Sequence, residues 1–179
     1  GCVEDLKEKP KKVFSNLVNT GLYFLDKSIL DFKLKKSCRN EYEFTDFVRE
    51  FVKKKKLYFS LAKAWISLPY IWNLLDANEY LLTKTDKKIL GKIEKGCHIK
   101  GMVRIGKGTI VKSGAYIEGP VSIGENCEIG PNCYLRECTC IENGCHIGQA
   151  VEIKNSIIGG KTNVAHLSYV GDSIIGDNC

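Results

Sequence analysis

The sequence predicts a three-sided parallel β-helix over residues 91–179, preceded by an α/β region over residues 1–82 and a polar linker at 83–90. Three observations carry this. Aliphatic residues recur every six positions at Ile93, Ile99, Ile105, Val111, Ile117, Ile123, Ile129, Leu135, Ile141, Ile147 and Ile153, a period belonging to neither a helix nor a half-buried strand. A small or slim residue follows four positions after each of the first ten, from Cys97, Val103, Thr109 and Ala115 through to Val151. Upstream of residue 91 the repeat is absent.

In chain order, Val13 to Asp26 reads as a strand region around a turn at Gly21. Thr45 is placed to cap a helix whose apolar stripe is Phe47, Val48, Phe51 and Val52, with Lys53 to Lys56 at its C-terminal end, where the dipole favours cations. Leu57 to Trp65 reads as a further strand. A second amphipathic helix is expected from Ser67 and Pro69, carrying Ile71, Leu74, Leu75, Asn78, Leu81 and Leu82 on one side. The chain has no initiator Met and stops at Ile175–Cys179 within a coil, so a central piece of a longer protein is expected.

In the repeat, three hexapeptides close one coil, so residues 18 apart stack and residues six apart lie on successive faces. The ladder slips by one residue to continue at Ile158, Val164 and Val170, and slips again at Ile175. The residue after the aliphatic is often Gly (106, 124, 130, 148, 159, 171, 176), which suggests corners needing a permissive backbone. Of the nine cysteines, 97, 127, 133, 145 and 179 fall at the small inward position, where a thiol serves as a small hydrophobe. Cys138 and Cys140 flank an inward Thr139 with no second ligand pair, so no metal site is expected. Unpaired thiols, with no signal peptide or membrane-length apolar run, point to a reducing cytoplasm.

The net charge of +6 lies wholly in residues 1–90, which hold 18 Lys/Arg against 12 Asp/Glu. No aromatic platform or basic motif accompanies it, so a solvated face is expected rather than a nucleic-acid or membrane partner. Counting by 18 along the position after the aliphatic gives Lys100, Glu118, Arg136 and Lys154. Arg136 and Lys154 therefore project from adjacent coils of one face, an arrangement suited to phosphate, although two independently solvated cations fit equally. His166, 12 residues after Lys154, lies two faces further on and offers a base toward an amine or hydroxyl; Tyr169 offers a phenol. Within one protomer His166 and the Arg136/Lys154 face point apart, so they meet only if β-helices pack side by side.

Val151–Gly159 (VEIKNSIIG) and Ala165–Asp172 (AHLSYVGD) resemble the acetyltransferase domain of the bifunctional glucosamine-1-phosphate acetyltransferase/N-acetylglucosamine-1-phosphate uridylyltransferase family. The resemblance implies a left-handed parallel β-helix that trimerises with active sites between subunits. It implies His166 as general base toward the substrate amine, Arg136 and Lys154 as phosphate contacts, Tyr169 as a sugar contact, and acetyl-CoA as co-substrate. Glu8-Lys9-Pro10, Asn19-Thr20-Gly21, Glu41–Asp46 (EYEFTD) and Leu74–Tyr80 (LLDANEY) resemble the C-terminal part of a sugar-1-phosphate nucleotidyltransferase domain. That implies Glu8 and Asn19 toward the sugar, Lys9 toward phosphate, a nucleoside triphosphate, and Mg²⁺ held by ligands mostly outside this chain. The chain lacks the nucleotide-gripping glycine-rich loop, expected upstream of Gly1, and has Ser67 where relatives carry an acidic metal ligand after Trp-Ile.

The resulting expectation is a transferase of amino-sugar metabolism. It would acetylate glucosamine 1-phosphate and transfer a nucleotidyl group to a sugar 1-phosphate, giving UDP-N-acetylglucosamine or a similar nucleotide sugar; this chain alone is not expected to be competent for the second reaction. The alternatives are a nucleotidyltransferase-like subunit with the β-helix as trimerisation or regulatory scaffold, and a mannose- or glucose-1-phosphate nucleotidyltransferase.

Overall fold

A computed structural model describes residues 1–33, 35–37 and 39–179; Cys38, one of the nine cysteines, lies outside the described residues. The chain divides into two compact units, Gly1–Trp65 and Ile66–Cys179. This division falls earlier than residue 82.

The second unit is a parallel β-solenoid of about five turns with three faces, consistent with a left-handed β-helix. The first face stacks Lys88–Ile89, Val103–Ile105, Val121–Ile123, Thr139–Ile141, Ile157–Ile158 and Ile174–Ile175. The second stacks Lys92–Ile93, Ile110–Val111, Glu128–Ile129, His146–Gln149 and Asn163–His166, and the third His98–Lys100, Tyr116–Glu118, Tyr134–Leu135, Glu152–Lys154 and Tyr169–Gly171. The first strand thus forms inside the stretch expected as linker.

The register is the one the aliphatic ladder demands. Ile117 stands on Leu135 and Ile105 on Ile123, 18 residues apart. After the slip, Ile141 stands on Ile158, Ile147 on Val164, Ile153 on Val170 and Ile158 on Ile175, 17 apart. The missing residue comes out of the corner. Left-handed residues sit three positions after the aliphatic at Asn126, Asn132 and Lys161, but two after it at Asn155 and Asp172.

The core is one cluster in which each face contributes a file of buried aliphatics, together running from Val103 to Ile158. The small inward residues do more than fill space. Thr109, Cys127, Cys145 and Thr162 each donate to a carbonyl of the next coil, respectively Gly124 (2.7 Å), Glu142 (3.0 Å), Gly159 (3.1 Å) and Gly176 (2.8 Å). Thr and Cys interchange here because each supplies a short donor of similar size. The eight described cysteines are all free thiols, and burial pushes the Cys133 thiol up to about 12.

Of the glycines after the aliphatics, only Gly130, at φ 91°, has the left-handed backbone expected of a corner. Gly148 lacks a left-handed φ; a Cβ there would lie 1.4 Å from the Ala165 carbonyl oxygen of the coil above. Its role is close backbone stacking.

Helix α2 (Asn73–Leu82) begins four residues after Pro69, with the Tyr70 and Trp72 rings stacked ahead of it. Its buried side is Asn78 and Leu82, while Ile71, Leu74 and Leu81 are exposed. The Asn78 side-chain amide donates to the Cys138 carbonyl at 2.7 Å, which ties α2 to the solenoid.

In the Gly1–Trp65 unit, helix α1 (Phe44–Val52) buries Val48 and Phe51, with the Phe32 ring 5.8 Å from that of Phe51. Thr45 does not cap it. The helix starts one residue earlier, and the buried Thr45 hydroxyl has no hydrogen-bond partner among the described residues. Among the described residues neither expected strand forms: Val13–Asp26 has no ladder partner and leaves Val13, Leu22 and Phe24 exposed, and within Leu57–Trp65 only Tyr58 pairs, in an isolated bridge with Cys2. Apolar alternation makes a strand only where a neighbouring backbone takes up its hydrogen bonds.

Candidate functional site

The third face of the solenoid presents two outward columns. Before each inward aliphatic stand His98, Tyr116, Tyr134, Glu152 and Tyr169; after it stand Lys100, Glu118, Arg136, Lys154 and Gly171. Arg136 and Lys154 are vertical neighbours, since the Arg136 amide donates to Ile153 and Leu135 pairs with Ile153.

Contacts on this face run diagonally, from the second column to the first column one coil on. Lys100 Nζ lies 4.9 Å from the centre of the Tyr116 ring, Glu118 accepts from the Tyr134 hydroxyl at 2.7 Å, and Arg136 Nη1 donates to Glu152 Oε1 at 3.0 Å. The Arg136 guanidinium also lies over the Tyr134 ring, 5.6 Å from its centre. The bond to Glu152 raises the Arg136 pKa, and the bond to Glu118 raises that of Tyr134. Arg136 is thus a fixed cation whose buried Nε is without a partner among the described residues. Lys154 makes no ion pair among the described residues.

His166 ends the strand Asn163–His166 of the second face, paired with Gln149, and is exposed. Leu167, at φ 50°, turns the corner, and Tyr169 opens the third face stacked on Glu152. The structure therefore brings Arg136, Lys154 and Tyr169 to one face and places His166 on the adjoining one. Tyr134 and Glu152 were missed by sequence reasoning, and Glu118 was placed in its column without its partner, although counting by 18 along the residue before each aliphatic finds the Tyr116–Tyr134–Glu152 column.

The first unit holds a second cluster. Glu8, Lys9 and Asn19 line one cavity of about 740 Å³ with Tyr23, Arg39, Glu43 and Thr45. Asn19 donates to the Tyr23 hydroxyl and accepts from the Gly21 amide at 3.0 Å, which folds the turn against the cavity. Burial raises the Tyr23 pKa. Arg39, also missed, donates to Glu43, a bond that raises its pKa, and lies 3.4 Å from Glu41. Lys9 adopts a left-handed φ of 41°, an uncommon backbone for a lysine.

Comparison with known proteins follows the same two-part layout. A nucleotidyl transferase family model matches residues 1–84, and a model of the GMPPB C-terminal domain matches residues 117–179. The bifunctional protein GlmU of Methanocaldococcus jannaschii is 45% identical over 98% of this chain, and that of Methanococcus maripaludis 53% identical over 98%. This chain is a homologue of the archaeal bifunctional GlmU proteins. A bifunctional sugar-1-phosphate nucleotidylyltransferase/acetyltransferase of Sulfurisphaera tokodaii is 39% identical over 96% of the chain. The chain spans 44% of the length of each of these three relatives. Among the described residues no helix is long and apolar enough to cross a membrane.

Proposed function

We propose that the third face of the solenoid binds an amino-sugar 1-phosphate for N-acetylation by acetyl-CoA. The observation that carries this is the vertical pair Arg136 and Lys154 with Tyr169 on the same face. The two cations, about one strand spacing apart, hold the phosphate between them. Tyr169 directs its phenol to the sugar ring. His166 takes the proton from the attacking amine as the N–C bond to the acetyl carbonyl forms, and coenzyme A departs as the thiol. Because His166 and the cations occupy adjoining faces, the site is completed by a second copy of the chain packed alongside, in a homotrimer. The bifunctional nucleotidylyltransferase/acetyltransferase relatives support the pairing of the two activities. The free thiols support a reducing, cytoplasmic setting.

In the first unit, Glu8 and Asn19 hold a sugar and Lys9 its phosphate, beside Arg39. Mg²⁺ does not fit the residues present. Ser67 offers a hydroxyl where a carboxylate is called for, and among the described residues no three His, Cys, Asp or Glu side chains converge. Ser67 also favours a second reading, in which the solenoid is a scaffold for a nucleotidyltransferase-like subunit.

The deciding test is acetylation of glucosamine 1-phosphate by the intact protein. The His166→Ala variant is expected to lose about 10²–10⁴-fold in kcat, the worth of a positioned general base. Unchanged turnover in the variant removes His166 from the mechanism; no turnover in the unsubstituted protein favours the scaffold.

A further inference from the structure

The diagonal lattice of the third face closes three times, at Lys100–Tyr116, Glu118–Tyr134 and Arg136–Glu152. By the same rule the fourth rung joins Lys154 to Tyr169, but among the described residues neither a hydrogen bond nor an ion pair is made by either side chain there. The reason lies in the fifth member of the second column. That position is a glycine, Gly171, stacked directly on Lys154. A Cβ at Gly171 would lie 2.4 Å from the Tyr169 hydroxyl oxygen and 2.7 Å from two ring carbons. The phenol of Tyr169 therefore lies along its own strand, in the space a side chain at 171 would occupy.

The consequence is a change of column. Tyr169 is rooted in the first column, yet its hydroxyl reaches the second, above Lys154. Arg136, Lys154 and the Tyr169 hydroxyl then form one vertical file of donors, spaced by about 4.8 Å per coil.

We infer that Gly171 is a positioning residue: by lacking a side chain it seats the Tyr169 phenol over the cation pair. This rests on the reading of the face as a sugar-phosphate site. The Gly171 backbone has no left-handed φ, so alanine is compatible with the local conformation, and the atoms it displaces are the free end of one exposed side chain. The Gly171→Ala variant should fold normally and expel the phenol.

The test is steady-state kinetics of the intact protein with glucosamine 1-phosphate and acetyl-CoA, for Gly171→Ala, Tyr169→Ala and the double variant. Gly171→Ala is expected to raise the KM for glucosamine 1-phosphate about tenfold, as for one lost hydrogen bond to a charged ligand, and to leave that for acetyl-CoA within about twofold. On the Tyr169→Ala background the same substitution should add less than about twofold, because the group it acts through is gone. An unchanged KM in the single variant, or a full multiplicative loss in the double, overturns the inference. If the unsubstituted protein acetylates nothing, the reading of the face fails instead. A crystal structure of Gly171→Ala then decides the inference: a phenol swung out supports it, and one still lying over residue 171 overturns it.

Discussion

The solenoid buries its inward aliphatic residues without exception from Val103 to Ile158, whereas the Gly1–Trp65 unit buries Ile29, Val48 and Phe51 and leaves Val13, Val18, Leu22 and Phe24 on its surface. The difference teaches where structural information resides. In a repeat, each coil supplies the backbone and apolar partners of the next, so every neighbour of a residue is found by counting along the chain. In the first unit no period exists, and an apolar run does not name its partner. Both units nevertheless gather their candidate polar residues into one place, the third face in one case and the Glu8–Asn19 cavity in the other.

The comparison can be broken by deleting apolar groups at matched depth in sequence terms but not in space. Ile129→Ala, at the centre of the file, is expected to destabilise the protein by about 2–5 kcal/mol in urea melts. Leu22→Ala, 88% exposed, should change it by less than about 0.5 kcal/mol. Equal effects would mean that the two units do not differ in packing.

Glycines sharpen it next. Gly148→Ala drives a methyl into the Ala165 carbonyl and should cost about 3 kcal/mol or more, since backbone rather than side chain must yield. Gly21→Ala meets nothing within 4 Å among the described residues and pays only for its φ of 79°, about 1–2 kcal/mol. The reverse order of the two melting shifts would contradict coil stacking as the role of Gly148.

A smaller effect appears in alkali. Burial raises the Cys133 thiol from 9.0 to about 12, so the folded state favours its protonated form. This contribution is complete below pH 9.0 and is lost as the pH rises toward about 12, because the unfolded thiol ionises first. Urea melts at pH 7 and pH 11 should show a smaller alkaline loss of stability in Cys133→Ala than in the unsubstituted protein. Identical losses would place the thiol in contact with water.

Much of this was legible beforehand, and for a physical reason. The spacing of Ile141, Ile147 and Ile153 from Ile158, Val164 and Val170 announced both the three faces and the one-residue slip, because a prism core admits one large and one small side chain per face per coil. The same counting put Arg136 above Lys100 and Glu118 and below Lys154. It did not find the diagonal contacts of Tyr134, Glu118 and Glu152, which depend on side-chain reach rather than on register. It also misread the glycines after the aliphatics as corners, Gly130 excepted, since a close backbone approach and a left-handed φ call for the same residue. In the first unit the helix over Phe44–Val52 was visible from its apolar stripe, but the strands at Val13–Asp26 and Leu57–Trp65 were not realised, and Arg39 carried no pattern that singled it out.

The central claim is that a phosphate sits between two cations one coil apart. Measuring the KM for glucosamine 1-phosphate and for acetyl-CoA in the intact protein, for Arg136→Ala and Lys154→Ala separately, tests it most directly. Each substitution is expected to raise the sugar-phosphate KM by about tenfold or more while the acetyl-CoA KM stays within about twofold, as the loss of one charge-assisted contact requires. A change confined to acetyl-CoA would contradict the assignment.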